Sequence, residues 1–102
     1  VASIGGGPGN DAWGSFLFAA LTRTWQKVDA HVFDFSPVWR PYCEAVGSAS
    51  VLEQAKQRLI SDGAGSVDMT LHFEEADLRA PTDAAVNRRL LDGLGGFGLV
   101  LL

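Results

Sequence analysis

The stretch SIGGGPGND, residues 3–11, holds four of the twelve glycines of this 102-residue chain within five positions. It follows a short apolar run and precedes a segment with helical periodicity, so it joins a predicted strand to a predicted helix. Glycines at such a junction permit positive φ angles and leave room for a ligand beside the backbone. The helix start adds free N–H groups and a partial positive charge. The stretch therefore predicts a site for an anionic or strongly polar group, with a ligand-free tight turn as the alternative.

The segments around this loop alternate between strand and helix patterns. Asn10 or Asp11 is predicted to cap the first helix, and Ser36-Pro37 favours another helix start. Strict alternation of apolar and polar residues in the third strand predicts one wet face, as at the edge of a sheet. Helices are predicted over 10–26, 36–46, 49–60 and 82–94, and strands over 1–4, 31–35, 67–74 and 98–102. This order predicts an α/β domain with a parallel sheet and right-handed crossovers.

Composition narrows the classes of function. The net charge of −4 gives no electrostatic signal for nucleic acid, and no apolar run is long enough to span a membrane. Cys43 is the single cysteine, which favours a reducing and therefore intracellular location, cytoplasmic or nuclear. The chain begins and ends inside predicted strands, so we expect residues 1–102 to form one partial domain, truncated after its fourth strand.

Two acids follow the second and third predicted strands. Asp34 lies 25 residues after Gly9, a spacing at which a carboxylate accepts hydrogen bonds from ribose hydroxyls; the alternative is a helix cap before Ser36. Asp77 follows the third strand, where its carboxylate would accept a hydrogen bond from the amino group of an adenine. The alternative is a solvated turn residue. With the glycine loop, these acids place three polar features at the ends of successive strands, which favours one nucleotide-type site.

Four segments together resemble the class I S-adenosylmethionine-dependent methyltransferases. Residues 3–9 are similar to their strand and GxGxG motif, 32–37 to their second-strand motif, 73–78 to the loop after the third strand and 97–102 to the fourth strand. The resemblance implies a Rossmann-like three-layer α/β/α fold with a parallel sheet, of which the chain would supply the cofactor-binding half. It also implies S-adenosylmethionine as the cofactor.

The resemblance further implies a role for each site residue. The loop of Gly5, Gly6, Gly7, Pro8 and Gly9 would contact the methionine part of the cofactor. Asp34 would bind the ribose hydroxyls, and Phe35 would lie against adenine. Asp77 and the Leu78 backbone would form hydrogen bonds with the edge of the adenine. Ser3 departs from the family, which often has an acid there, and Asp11 is the residue placed to compensate.

The implied activity is methyl transfer to an unidentified acceptor: an RNA base, a protein or a small molecule. No catalytic residue is identified, because the family places its acceptor-binding residues after the fourth strand; we therefore expect the 102-residue chain to be inactive alone. One alternative is the NAD(P)- or FAD-binding domain of an oxidoreductase, since Gly7 to Ala12 satisfies G-x-G-x-x-A. The other is a degenerate, non-catalytic interaction module, which Ser3 would favour.

Other reactive side chains carry weaker patterns. His31 and His72 are 41 residues apart and lack metal-ligand spacing, so they are interpreted as ordinary strand residues and no metal site is predicted. Cys43 falls on an apolar helix side and is expected to be packed. Arg79 is expected on the surface, and Trp39 is placed to approach the cofactor pocket.

Overall fold

The computed structural model describes residues 1–101 as four strands and four α-helices joined by short 3₁₀ helices. The strands are β1 (Ala2–Ile4), β2 (Lys27–Asp34), β3 (Asp68–Glu75) and β4 (Val100–Leu101). The α-helices are α1 (Asn10–Thr22), α2 (Arg40–Val46), α3 (Ala49–Ser61) and α4 (Arg88–Gly93), with 3₁₀ helices at Pro37–Trp39, Ala85–Asn87 and Leu94–Gly96. Leu102, which the sequence assigns to the last strand, lies outside the described residues.

The four strands form one parallel sheet in the order β3-β2-β1-β4. The chain moves outward from β1 to β3 and then returns to the other side of β1. Strand order therefore reverses at β1, and the glycine loop leaves the carboxyl end of that strand, where open α/β sheets bind ligands. The Rossmann-like α/β prediction is confirmed, as is the position of the third strand at a sheet edge.

Helices cover both faces of the sheet. One face of β2 and β3 packs against α1 and α3, with Phe16, Val28 and Met69 in that core. On the opposite face Ala2 and Phe33 pack against Leu90 of α4, and Phe97 adjoins them. We call the second surface the α4 face of the sheet. In β2 this double coverage is complete only at the carboxyl end, where Val32, Phe33 and Asp34 are all buried.

The first helix differs from its prediction in its start, end and buried face. Gly9 occupies the N-cap position with φ 98°, rather than Asn10 or Asp11. The helix ends at Thr22 and not near Gln26, because Arg23 adopts a left-handed conformation that turns the chain into β2. Alanines let α1 lie close to the sheet, so its buried face is narrow and Leu21 is 69% exposed.

Two other predicted helices are partly irregular. The segment that starts at Ser36-Pro37 is a 3₁₀ helix through Trp39 and becomes α-helical only at Arg40, next to Pro41. The segment predicted as one helix over 82–94 is α-helical only over Arg88–Gly93. Before it, the Asn87 side chain bonds the loop after β3. After it, the glycines at 95 and 96 disfavour continued α-helix.

Candidate functional site

The loop after β1 turns through three glycines with positive φ. Gly5, Gly7 and Gly9 have φ angles of 73°, 52° and 98°, which side-chain-bearing residues adopt only with strain. The Gly5 N–H donates to the Phe33 carbonyl at 2.6 Å, so the turn begins where β1 leaves its pairing with β2. The spacing of the GxGxG motif is therefore a requirement of the backbone path.

Gly6 is constrained by space instead of by φ. A Cβ at this position would overlap Ser3 Oγ and lie 3.1 Å from Val32 Cγ1. Any larger residue would push the loop away from the sheet. The second glycine of the run thus keeps the loop packed on the end of β1.

Asp34 at the end of β2 holds the loop in place. Its side chain is 7% exposed; Oδ2 accepts the Gly7 N–H and Oδ1 accepts the Ser36 N–H, each at 3.0 Å. The bond to Ser36 closes a turn before the 3₁₀ helix, and it is not the helix cap that the sequence left as the alternative, because that helix has no side-chain cap. A carboxylate has about four acceptor positions, so two N–H bonds leave capacity for further donors.

Ser3 and Asp11 form a direct pair on the other side of the loop. The buried Ser3 hydroxyl donates to Asp11 Oδ2 at 2.6 Å, while Asp11 is exposed in the first turn of α1. A carboxylate therefore lies next to the position where the methyltransferases often have their own acid. From the sequence, Asp11 could be placed only next to the loop, because its contact with Ser3 depends on how α1 leaves Gly9.

The loop after β3 is held by Asn87. Its side-chain amide donates to the Asp77 carbonyl at 2.9 Å, and its Oδ1 accepts the Asp77 N–H at 2.8 Å. The Ala76 N–H also donates to the Asp34 carbonyl at 3.1 Å. The ends of β2 and β3 are thereby joined, which brings Asp77 beside the residues that follow Asp34. Sequence analysis did not identify Asn87, because its partners lie in a loop ten residues earlier.

Arg79 covers the groups predicted to meet adenine. Its guanidinium pairs with both oxygens of Asp77, at 2.9 and 3.0 Å, and lies 4.4 Å from the centre of the Phe35 ring. The hydrogen bonds from Arg79 hold the pKa of Asp77 below its usual value. Phe35 is nevertheless 58% exposed, so an apolar ring remains accessible at this edge. Sequence analysis placed Arg79 only on the surface.

These strand ends line one cavity of about 210 Å³, which we call the strand-end cavity. It brings together five predicted site residues, Gly5, Asp34, Phe35, Asp77 and Leu78, and adds Ile4, Phe33, Ala76 and Arg79. Among the described residues its lining does not include Gly6, Gly7, Pro8 or Gly9. Trp39 lies 3.6 Å from the position of a Gly7 Cβ, on another side of the loop.

A larger cavity of about 500 Å³ lies between α1 and β4. Asp11 is the one charged side chain in its lining. The strand-end cavity has a mainly apolar wall that includes the Phe35 ring, and its lining residues include Asp34, Asp77 and Arg79. A mostly apolar pocket with a few charged residues is the pattern expected of a ligand site. We therefore take the smaller cavity as the candidate site.

Cys43 packs beneath the loop. Its thiol lies 3.4 Å from the Gly7 carbonyl, to which the S–H donates. Burial, and then the negative charge of Asp34, raise the pKa of the Cys43 thiol. The protonated thiol is thus a packing group here, as the sequence predicted, and not an activated nucleophile.

The fold is a Rossmann-like parallel α/β fold, and the strand-end cavity lies at the switch point of its sheet. No family model, curated protein or solved structure matches the chain. Among residues 1–101, no helix combines the length and apolar character that a membrane crossing requires.

Proposed function

We propose that this chain is the cofactor-binding part of an S-adenosylmethionine-dependent methyltransferase. The observation that carries the proposal is the strand-end cavity, because it unites residues from the ends of β1, β2 and β3 in one place. An acid, an aromatic ring and a second acid are the groups that a ribose and an adenine would need.

Asp34, Phe35 and Asp77 would bind the adenosine. The Asp34 carboxylate accepts two backbone N–H groups and retains acceptor capacity for ribose hydroxyls. The exposed Phe35 ring offers a stacking surface for adenine. The Asp77 carboxylate would accept a hydrogen bond from the adenine amino group once its ion pair with Arg79 opens.

Ser3 and Asp11 would bind the amino-acid end of the cofactor. The pair places the Asp11 carboxylate at the loop, where it would bind the ammonium group of the cofactor. Charge-assisted hydrogen bonds of this kind are stronger than neutral ones. The glycine loop would place its backbone beside the same ammonium, because its glycines carry no side chains that block a close approach.

When bound, S-adenosylmethionine supplies a methyl group on a sulfonium centre that is already activated for displacement. The protein's task is then to position the reactants, an effect worth on the order of 7–11 kcal/mol in well-oriented reactions. These residues do not identify the methyl acceptor, which would be an RNA base, a protein or a small molecule. We also propose an intracellular location, which the free and buried Cys43 supports.

A dinucleotide domain is disfavoured by Asp11. A pyrophosphate would have to sit at the N-terminus of α1, where the Asp11 carboxylate lies in the first turn and would repel it. A zwitterionic amino acid, by contrast, gains from a carboxylate at that position. The charge of Asp11 would therefore favour S-adenosylmethionine over a dinucleotide, although both ligands contain adenosine.

Calorimetric titration of the intact protein with S-adenosylhomocysteine and with NADH tests the proposal. We expect saturable 1:1 binding of S-adenosylhomocysteine and no comparable heat with NADH. Tight NADH binding without S-adenosylhomocysteine binding would identify the dinucleotide domain. Binding of neither would favour a non-catalytic module.

A further inference from the structure

The α4 face of the sheet carries a cluster of two histidines and one aspartate, in which His31 lies two residues before Phe33 of the strand-end cavity. His31 of β2 and His72 of β3 are direct partners in the parallel register. Their rings stack with centroids 4.6 Å apart. Asp29 lies two residues before His31 and therefore on the same face. The sequence separation of 41 residues conceals this pairing.

The ligand atoms of the cluster converge. Asp29 Oδ2 lies 3.5 Å from His31 Nε2, and Asp29 Oδ1 lies 3.1 Å from His72 Nε2. One ligand atom from each residue falls within 4.8 Å of the other two. Two ligands at zinc bond lengths of about 2.1 Å in tetrahedral geometry are about 3.4 Å apart. The two contacts to Asp29 are close to this separation, one through each carboxylate oxygen.

Neighbouring groups orient the cluster. The Thr70 hydroxyl donates to Asp29 Oδ1 at 2.7 Å. That bond is the main reason that the pKa of Asp29 lies below its usual value. The His31 ring also packs against Phe97, with centroids 5.2 Å apart. Hydrogen bonds and packing around ligands are what orient them in metal sites.

We propose that Asp29, His31 and His72 bind a divalent zinc ion through three protein ligands, with one coordination position open. Imidazole nitrogen and carboxylate oxygen are donors that zinc prefers, and two histidines with one carboxylate is a ligand set that leaves a fourth position for water or another ligand. Asp29 and His72 are exposed, so an ion can enter from solvent. The proposal is independent of the cofactor that the strand-end cavity binds.

Zinc chloride is titrated calorimetrically into the intact, tag-free protein, and Co²⁺ is added separately as a spectroscopic probe. We expect 1:1 zinc binding and the intense visible absorption of a four-coordinate Co²⁺ site. Asp29→Asn and His72→Gln should each weaken zinc binding by about tenfold or more. Asp62→Asn, which neutralises an exposed aspartate paired with Arg58, is the matched control and should bind zinc as the wild type does.

Circular dichroism of each variant verifies that the fold is retained, and both cluster residues chosen are solvent-exposed. Absence of zinc binding at micromolar concentration would overturn the proposal and leave a hydrogen-bonded cluster. Zinc binding that survives both Asp29→Asn and His72→Gln would overturn it as well. Neither result depends on S-adenosylhomocysteine binding, so the two proposals fail separately.

Discussion

The Asp34 carboxylate accepts the Gly7 N–H at 3.0 Å and so ties the end of β2 to the loop after β1. Its second oxygen accepts the Ser36 N–H, which starts the turn toward α2. One buried side chain thus sets the position of two segments that border the strand-end cavity. Its role in the structure precedes any role in ligand binding.

Replacement of Asp34 should therefore destabilise the ligand-free protein. Asp34→Ala leaves the buried Gly7 N–H without its acceptor, and we expect the free energy of unfolding to fall by about 2 kcal/mol. Urea denaturation measures this loss. Asp83→Ala removes an exposed aspartate and should change stability by less than about 0.5 kcal/mol. Equal stability of the two variants would contradict the tethering role.

Neutralisation of Asp11 should weaken binding of the amino-acid end of the cofactor alone. Asp11→Asn keeps an acceptor for the Ser3 hydroxyl but removes the charge that faces the ammonium. We expect S-adenosylhomocysteine to bind about tenfold more weakly, while adenosine, which lacks the ammonium, binds as before. Calorimetry with both ligands separates the two effects. An equal loss for adenosine would show that Asp11 acts through the fold.

Removal of the Arg79 guanidinium should strengthen ligand binding. Arg79 pairs with Asp77 and covers Phe35, and both contacts compete with an adenine. Arg79→Met should tighten S-adenosylhomocysteine binding a few fold, because exposed ion pairs are weak. Arg58→Met, at an exposed pair on α3, is the control and should leave binding unchanged. Weaker binding in Arg79→Met would mean that the arginine itself contacts the ligand.

The raised pKa of Cys43 predicts a pH dependence of stability. The folded protein keeps the thiol protonated where the unfolded chain has lost its proton. The contribution of this group is therefore constant below about pH 8.5 and declines as the pH rises above it. Urea denaturation at pH 7 and pH 9.5 should show a smaller decline for Cys43→Ala than for the wild type. Parallel declines would contradict this prediction.

The order of elements could be predicted because each strand and helix has a local pattern. Alternation over the third strand even indicated its place at the sheet edge, since period-two exposure reflects one solvated face. Helix ends were less predictable. The helix α1 ends because Arg23 adopts a left-handed conformation, which cannot be predicted from an arginine at that position.

The site was predictable where its residues follow strands and not where tertiary contacts create it. Asp34 and Asp77 were predicted to lie close together because the carboxyl ends of parallel strands meet at one edge, and both line the strand-end cavity. Arg79 and Asn87 were missed because their significance lies in contacts across a loop. The meeting of His31 and His72 likewise depends on the register of β2 and β3, which periodicity does not specify.

The most direct test of the central claim is a calorimetric comparison of wild type and Asp34→Ala in the intact protein, with S-adenosylhomocysteine as the ligand. Asp83→Ala serves again as the control, and circular dichroism confirms that each protein is folded at the titration temperature. The account predicts 1:1 binding to wild type and control, and at least tenfold weaker binding to folded Asp34→Ala. Equal affinity in all three proteins would place the ligand elsewhere and contradict the account.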